Sequence, residues 1–183
     1  MRILGVDPGS RAAGWAVVEA GTKASLLSAG VLRPGAGLPL HERLAFLHDG
    51  LAAVVERERP DEAAVERVFA GVNPQSLITL GEARGVLLLA LARARIPLHE
   101  VTPAEVKRAV AGNGGAEKEQ VRRMVRVFLP GKGRLPLDAA DAAAVALCHA
   151  WGAAGRIARL AAAPRGPVPE TAPAGSWRRR PSG

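Results

Sequence analysis

The stretch Arg2-Ile-Leu-Gly-Val-Asp7-Pro-Gly-Ser-Arg11 governs how the rest of the chain is read. An apolar run that ends on an acid and a Pro-Gly pair predicts a buried strand closing in a turn, with Asp7 at the strand's carboxyl end. Residues 14–19 and 26–32 predict two more strands, joined by short connections as a meander. The period then changes: Leu40, Leu44, Leu47, Leu51 and Val54 recur every three to four residues, as on one face of a helix, and Pro60 stops the pattern. Residues 63–68 predict a fourth strand, with Glu66 at its carboxyl end.

Downstream, Asn73-Pro74 reads as a cap followed by proline in the first turn of a helix whose apolar positions include Leu77, Leu80, Leu87, Leu88 and Leu91. Residues 97–101 predict a short fifth strand. Thr102-Pro-Ala-Glu105 has capping-box spacing, so a helix follows it. Residues 112–115 are a Gly-rich break, residues 117–128 a basic helix, residues 130–136 a loop, and an Ala-rich helix runs from about 137 past His149. The expected fold is α/β, a five-stranded mixed sheet flanked by helices. Residues 1–155 are expected to form one domain. Residues 156–183, rich in Pro, Ala, Gly and Arg, predict a disordered basic tail.

Composition narrows the function. Of the 183 residues, 48% are hydrophobic but only 3% aromatic, so aliphatic side chains and alanine must fill the core. The lone cysteine, Cys148, excludes an intrachain disulfide and a cysteine-based zinc cluster. The N-terminal apolar run is too short for a signal peptide. No stretch reads as the roughly 20 apolar residues of a membrane span, and a cytoplasmic location is expected. The net charge is +8. Residues 107–134 hold eight Lys or Arg against two acids, Glu117 and Glu119, a density that fits a polyanion and equally fits a solvated helix face.

The chemistry lies in the acids. If the first and fourth strands are parallel neighbours, Asp7 and Glu66 end side by side, where open α/β sheets bind ligands. Asp138 and Asp141 are three apart and share one helical face. Four converging carboxylates repel one another, and a divalent cation relieves that repulsion. All-oxygen ligands suit Mg²⁺ or Mn²⁺, and paired ions of this kind serve in-line phosphoryl displacement. Taken singly, Asp7 also suits a turn, Glu66 a strand-end charge, Asp138 the first turn of a helix and Asp141 a solvated helix position.

Several segments resemble the RuvC family of Holliday-junction resolvases: Gly5-Val-Asp-Pro-Gly-Ser-Arg11 with Gly14, Ala64-Val-Glu66-Arg-Val-Phe69, Leu80-Gly-Glu-Ala-Arg-Gly85 with Asn73 and Ser76, Val106-Lys107, Ala116-Glu-Lys118-Glu-Gln-Val121, and Asp138-Ala-Ala-Asp141. They cover most of residues 2–150 in family order. The resemblance implies an RNase H-like domain, a homodimer that nicks two opposing strands of a four-way junction, and a branch-migration helicase complex as partner. It implies Asp7, Glu66, Asp138 and Asp141 as catalytic acids that hold Mg²⁺ or Mn²⁺, two ions per site, and products with 5′-phosphate and 3′-hydroxyl ends. It also implies Lys118 as a cation that assists catalysis, Lys107, Lys118 and Arg122 as DNA contacts, and Phe69 as an aromatic that stacks on a base near the junction. Read alone, Lys118 also suits a surface lysine and Phe69 a cap on the core.

Three other readings compete. Asp7-Pro-Gly-Ser10 resembles the phosphate loop of actin-like ATPases, but that fold needs two such domains. A non-catalytic DNA-binding protein on the same fold, or a nuclease acting on RNA–DNA hybrids, would use the same scaffold.

Overall fold

The computed structural model describes residues 1–67, 73–130 and 135–162, the last ten of these as backbone only. Five strands and five helices follow in the order β1 (Arg2–Asp7), β2 (Ala13–Glu19), β3 (Ser25–Leu32), α1 (Leu40–Glu58), β4 (Glu62–Glu66), α2 (Pro74–Arg93), β5 (Leu98–Val101), α3 (Pro103–Ala111), α4 (Lys118–Phe128) and α5 (Leu137–Ala162). The single sheet has strand order β3-β2-β1-β4-β5. β1 to β3 form the expected antiparallel meander, while β1, β4 and β5 run parallel. This is the mixed five-stranded sheet of an RNase H-like domain. Most expected helix boundaries shift by a residue or so, but α5 continues to Ala162, so the first seven residues of the stretch 156–183, expected to be disordered, are helical. β4 ends at Glu66, not at residue 68.

Side-chain alternation divides the core in two. Leu4, Val6, Val17, Ala63 and Val65 pack on one face, against Leu47, Leu51 and Val54 of α1 and Leu87 and Leu91 of α2. Ile3, Ala16, Val18 and Ala64 face the other side, toward α3, α4 and α5. α5 approaches the sheet very closely there. A Cβ added at Gly5 would lie 2.1 Å from the carbonyl oxygen of Ala142, and one at Gly14 would lie 1.9 Å from that of Asp138. Those two glycines, with the buried alanines 139, 142, 143 and 146 of α5, let helix backbone rest on strand backbone. The helix that carries Asp138 and Asp141 is therefore pressed directly onto the strand that carries Asp7.

The local signals act as their chemistry requires. Asn73 caps α2 by accepting from the backbone N–H of Gln75, followed by Pro74. Thr102 and Glu105 form the reciprocal capping box of α3. Gly112 closes that helix at φ 78°, a left-handed conformation that glycine adopts without steric cost.

One expectation needs correction. α2 is by length and composition apolar enough to cross a membrane, contrary to the reading that no stretch approaches a span. It carries Glu82 and Arg84 in mid-helix and packs on the sheet through Ala83, Leu87, Ala90 and Leu91. One face of α2 thus packs in the core, while Ile78 and Leu89 leave its outer face apolar and exposed.

Candidate active site: an acidic centre under α5

β1 and β4 are parallel neighbours with Val6 beside Val65, so Asp7 and Glu66 emerge together at one sheet edge. The two carboxyl groups share a hydrogen bond. Burial, then repulsion from Glu66 and Asp141, pushes Asp7 up to about 8. Burial also raises Glu66, while the bond from Asp7 opposes that rise. Burial and mutual repulsion thus favour a proton on the pair when no cation is bound. Asp141 lies near enough to repel both. Of the four acids expected to converge, these three come together.

Two lysines face these acids. Lys118 draws both Asp7 and Glu66 back down, and Lys107 does the same for Glu66. Lys118 is the first residue of α4, where the helix dipole disfavours a cation. Its position is explained by the carboxylates opposite. Glu66, Lys107, Lys118 and Asp141 line one cavity of about 230 Å³.

The remaining predicted residues fall elsewhere. Arg122, expected among the DNA contacts, makes a two-pronged ion pair with Asp141, with Nε to Oδ1 at 2.9 Å and a terminal nitrogen to Oδ2 at 2.8 Å. Both side chains are largely buried. Asp141 in turn holds Arg122 above its ordinary pKa. Asp138 is turned to Arg33, 3.2 Å away at the half-exposed start of α5. The sequence reading found no basic partner for the acids as a group, yet two of them have individual ones. Phe69 lies outside the described residues, as does the stretch 163–183 of the expected tail.

Two further residues were not foreseen. Arg84 of α2 donates from Nε to the backbone carbonyl of Glu66 at 3.3 Å and pairs with Glu100 at 3.0 Å, anchoring the end of β4. Arg33 follows β3, which runs in the same direction as β1 in the meander. It therefore emerges at the edge occupied by Asp7. The meander alone was enough to put residue 33 there, but no sequence signal joined it to an acid 105 positions away.

Three carboxylates around one shared proton, with lysines facing them, form a donor set made of oxygen alone. Such a set fits a hard divalent cation, which would replace the proton and neutralise the acids together.

Comparison with known proteins agrees. The profile of the family described as "Crossover junction endodeoxyribonuclease RuvC" matches residues 3–149. The chain belongs to the RuvC family. It is 52% identical over 154 residues to the crossover junction endodeoxyribonuclease RuvC of Chloroflexus aurantiacus, covering 82% of this chain and 93% of that one. It is 50% identical to the corresponding protein of Paramagnetospirillum magneticum, covering 82% and 91%. Among solved structures, Thermus thermophilus RuvC in complex with Holliday junction substrate superposes with a TM-score of 0.77 at 38% identity, covering 84% of this chain and 94% of that one. Membership makes the chain a nuclease and implies dependence on a divalent metal ion.

Proposed function

We propose that this chain resolves four-way DNA junctions in recombination and repair by hydrolysing one phosphodiester in each of two opposing strands. The observation that carries this reading is the convergence of Asp7 and Glu66, at the ends of two neighbouring parallel strands, with Asp141 and Lys118 beside them, in a chain of the RuvC family. Asp7, Glu66 and Asp141, with Asp138 at the margin, would hold Mg²⁺ or Mn²⁺, two ions per site. Bound there, the metal supplies charge neutralisation and polarises the scissile phosphate.

The chain's own groups do the rest. Asp7 and Glu66 give up their shared proton and present oxygens from two rigid strand ends. Arg122 fixes both oxygens of Asp141 in orientation. Lys118 meets the phosphate across the cavity, and Lys107 adds positive charge beside Glu66. Phe69 stacks on a base near the exchange point. With its Nε and a terminal nitrogen both on Asp141, Arg122 serves to orient that carboxylate and is not proposed as a direct DNA contact.

The junction is roughly two-fold symmetric, and a C₂ dimer supplies two sites. α2 supports a dimer. Ile78, Gly81, Gly85 and Leu89 follow one helical stripe. The two large residues are exposed at 56% and 49%, and the space over both glycines is open. A partner helix can therefore approach closely. The enzyme works in the cytoplasm, in keeping with its free buried Cys148, and we take a branch-migration helicase as its partner.

The test is cleavage of a mobile four-way junction, a linear duplex and an RNA–DNA hybrid, each with Mg²⁺ and with Mn²⁺. Paired symmetric nicks in the junction, with the other two substrates intact, are expected. Equal cleavage of the hybrid would move the chain to another RNase H-like activity. Tight junction binding with no nicking in either metal would make it a binding protein.

A further inference from the structure

At the far end of the same helix lies a cluster of different chemistry. His149 sits in α5 eight residues beyond Asp141, about 12 Å along the axis at 1.5 Å per residue. Glu62 begins β4, four residues before Glu66, about 13 Å along the strand. Both share a sheet face with the acidic centre but occupy its opposite end. His99 of β5 pairs with Ala64 of β4 and completes the group. His149 Nε2 lies 2.5 Å and His99 Nε2 3.4 Å from the same oxygen of Glu62. The two imidazole rings stack with centroids 4.1 Å apart. One ligand atom from each of the three residues lies within 4.8 Å of the other two. The His149 side chain is 2% exposed.

We propose that Glu62, His99 and His149 form a second metal site, for one borderline divalent transition ion of the Zn²⁺ class, separate from the acidic centre.

The donor set is two imidazole nitrogens and one carboxylate oxygen, which suits zinc and its neighbours and not Mg²⁺. Donors on one tetrahedral zinc stand about 3.3 Å apart, given bonds of about 2.0–2.1 Å. The His99–Glu62 separation already has that value. The His149–Glu62 contact is shorter because a proton occupies it, and it opens by somewhat under 1 Å when the metal takes the proton's place. Glu62, with 27% of its side chain exposed, has room for that shift. A cavity of about 430 Å³ meets both histidines and is also lined by Cys148, Glu105 and Arg108. Cys148 borders this cavity but is not among the three residues whose ligand atoms lie within 4.8 Å of one another. Since the ion competes with a proton, its affinity rises with pH. Bound, it ties β4 and β5 to the lower half of the helix whose upper half holds Asp141.

The experiment uses the full chain with D7N, so that the acidic centre is weakened, and Co²⁺ as a coloured probe. Uptake of one Co²⁺ per chain is expected, with visible bands of nitrogen-containing tetrahedral coordination. Zn²⁺ should displace it and excess Mg²⁺ should not. Zinc at a hundredfold over its Kd should raise the unfolding midpoint by about 5 °C. D7N/H99Q should lose both effects, while H99Q alone nicks junctions with Mg²⁺ within about twofold of the parent rate. His99 is 39% exposed, so H99Q is a safer change than one at buried His149. No Co²⁺ band in D7N, a band that Mg²⁺ abolishes, or equal Co²⁺ uptake by D7N/H99Q would overturn the proposal.

Discussion

The two ends of α5 use similar parts to opposite effect. At the upper end carboxylates face other carboxylates, and the protein meets the repulsion with lysines, with Arg122 and with a shared proton. At the lower end a carboxylate faces two imidazoles, and hydrogen bonding already relieves it. The same helix, pressed on the same sheet face, thus presents an all-oxygen site at one end and a nitrogen-rich site at the other. Ligand identity, not the fold, sorts hard ions from borderline ones. The upper end also stores unfavourable electrostatic energy in the absence of metal, as a binding site for charge does.

Breaking the upper end should have the largest effect. Asp7→Asn is expected to lower metal-dependent junction nicking by about a thousandfold or more, some 4 kcal/mol of barrier. In metal-free buffer at pH 8 it should also make the protein more stable, by about 1–3 kcal/mol. The sign follows from linkage. Asp7 has a folded pKa of about 8 against 3.8 unfolded, so the folded state binds more protons, and its contribution to stability is lost as pH rises through that interval. Urea unfolding of both proteins at pH 5 and pH 8 checks it; Asp7→Asn should flatten the fall.

The support beneath the acids comes next. Gly14→Ala would drive a methyl group into the backbone of Asp138, and a loss of about 3 kcal/mol or more in urea unfolding is expected. Lys118→Met should reduce nicking by about a hundredfold with a near-native unfolding midpoint, which single-turnover kinetics would separate from loss of binding. The smallest effect belongs to Arg33→Ala. Its ion pair with Asp138 is exposed at 68% and 36%, and such pairs contribute about 0–1 kcal/mol. Stability should hardly change, and a large loss of nicking would promote Asp138 from the margin to the centre.

Much of the upper end was legible because each acid sits at the end of a strongly patterned element. An apolar run ending in Asp7 and another carrying Glu66 at its end read as strands, and i, i+3 spacing put Asp138 with Asp141 on α5; the pairing of the two strands came from the structure. The pairings among side chains were not legible. Arg122 reads as one more cation on a basic helix until α4 is seen packed on α5, which turns it onto Asp141. Arg33 meets Asp138 only through the sheet's strand order. The lower end was invisible for the same reason: Glu62, His99 and His149 are spread over 87 positions, none lies in a recognisable motif, and only the register of β4 with β5 and the pitch of α5 bring them together.

The central claim is that Asp7, Glu66 and Asp141 form one cation site closed by a proton when metal is absent. Calorimetric titration with Mn²⁺ at pH 7, in two buffers of different ionisation enthalpy, counts the protons released on binding. The account predicts about one proton released per site in the wild-type chain and none in Asp7→Asn. Tight Mn²⁺ binding with no proton release, or the same release in both proteins, would contradict it.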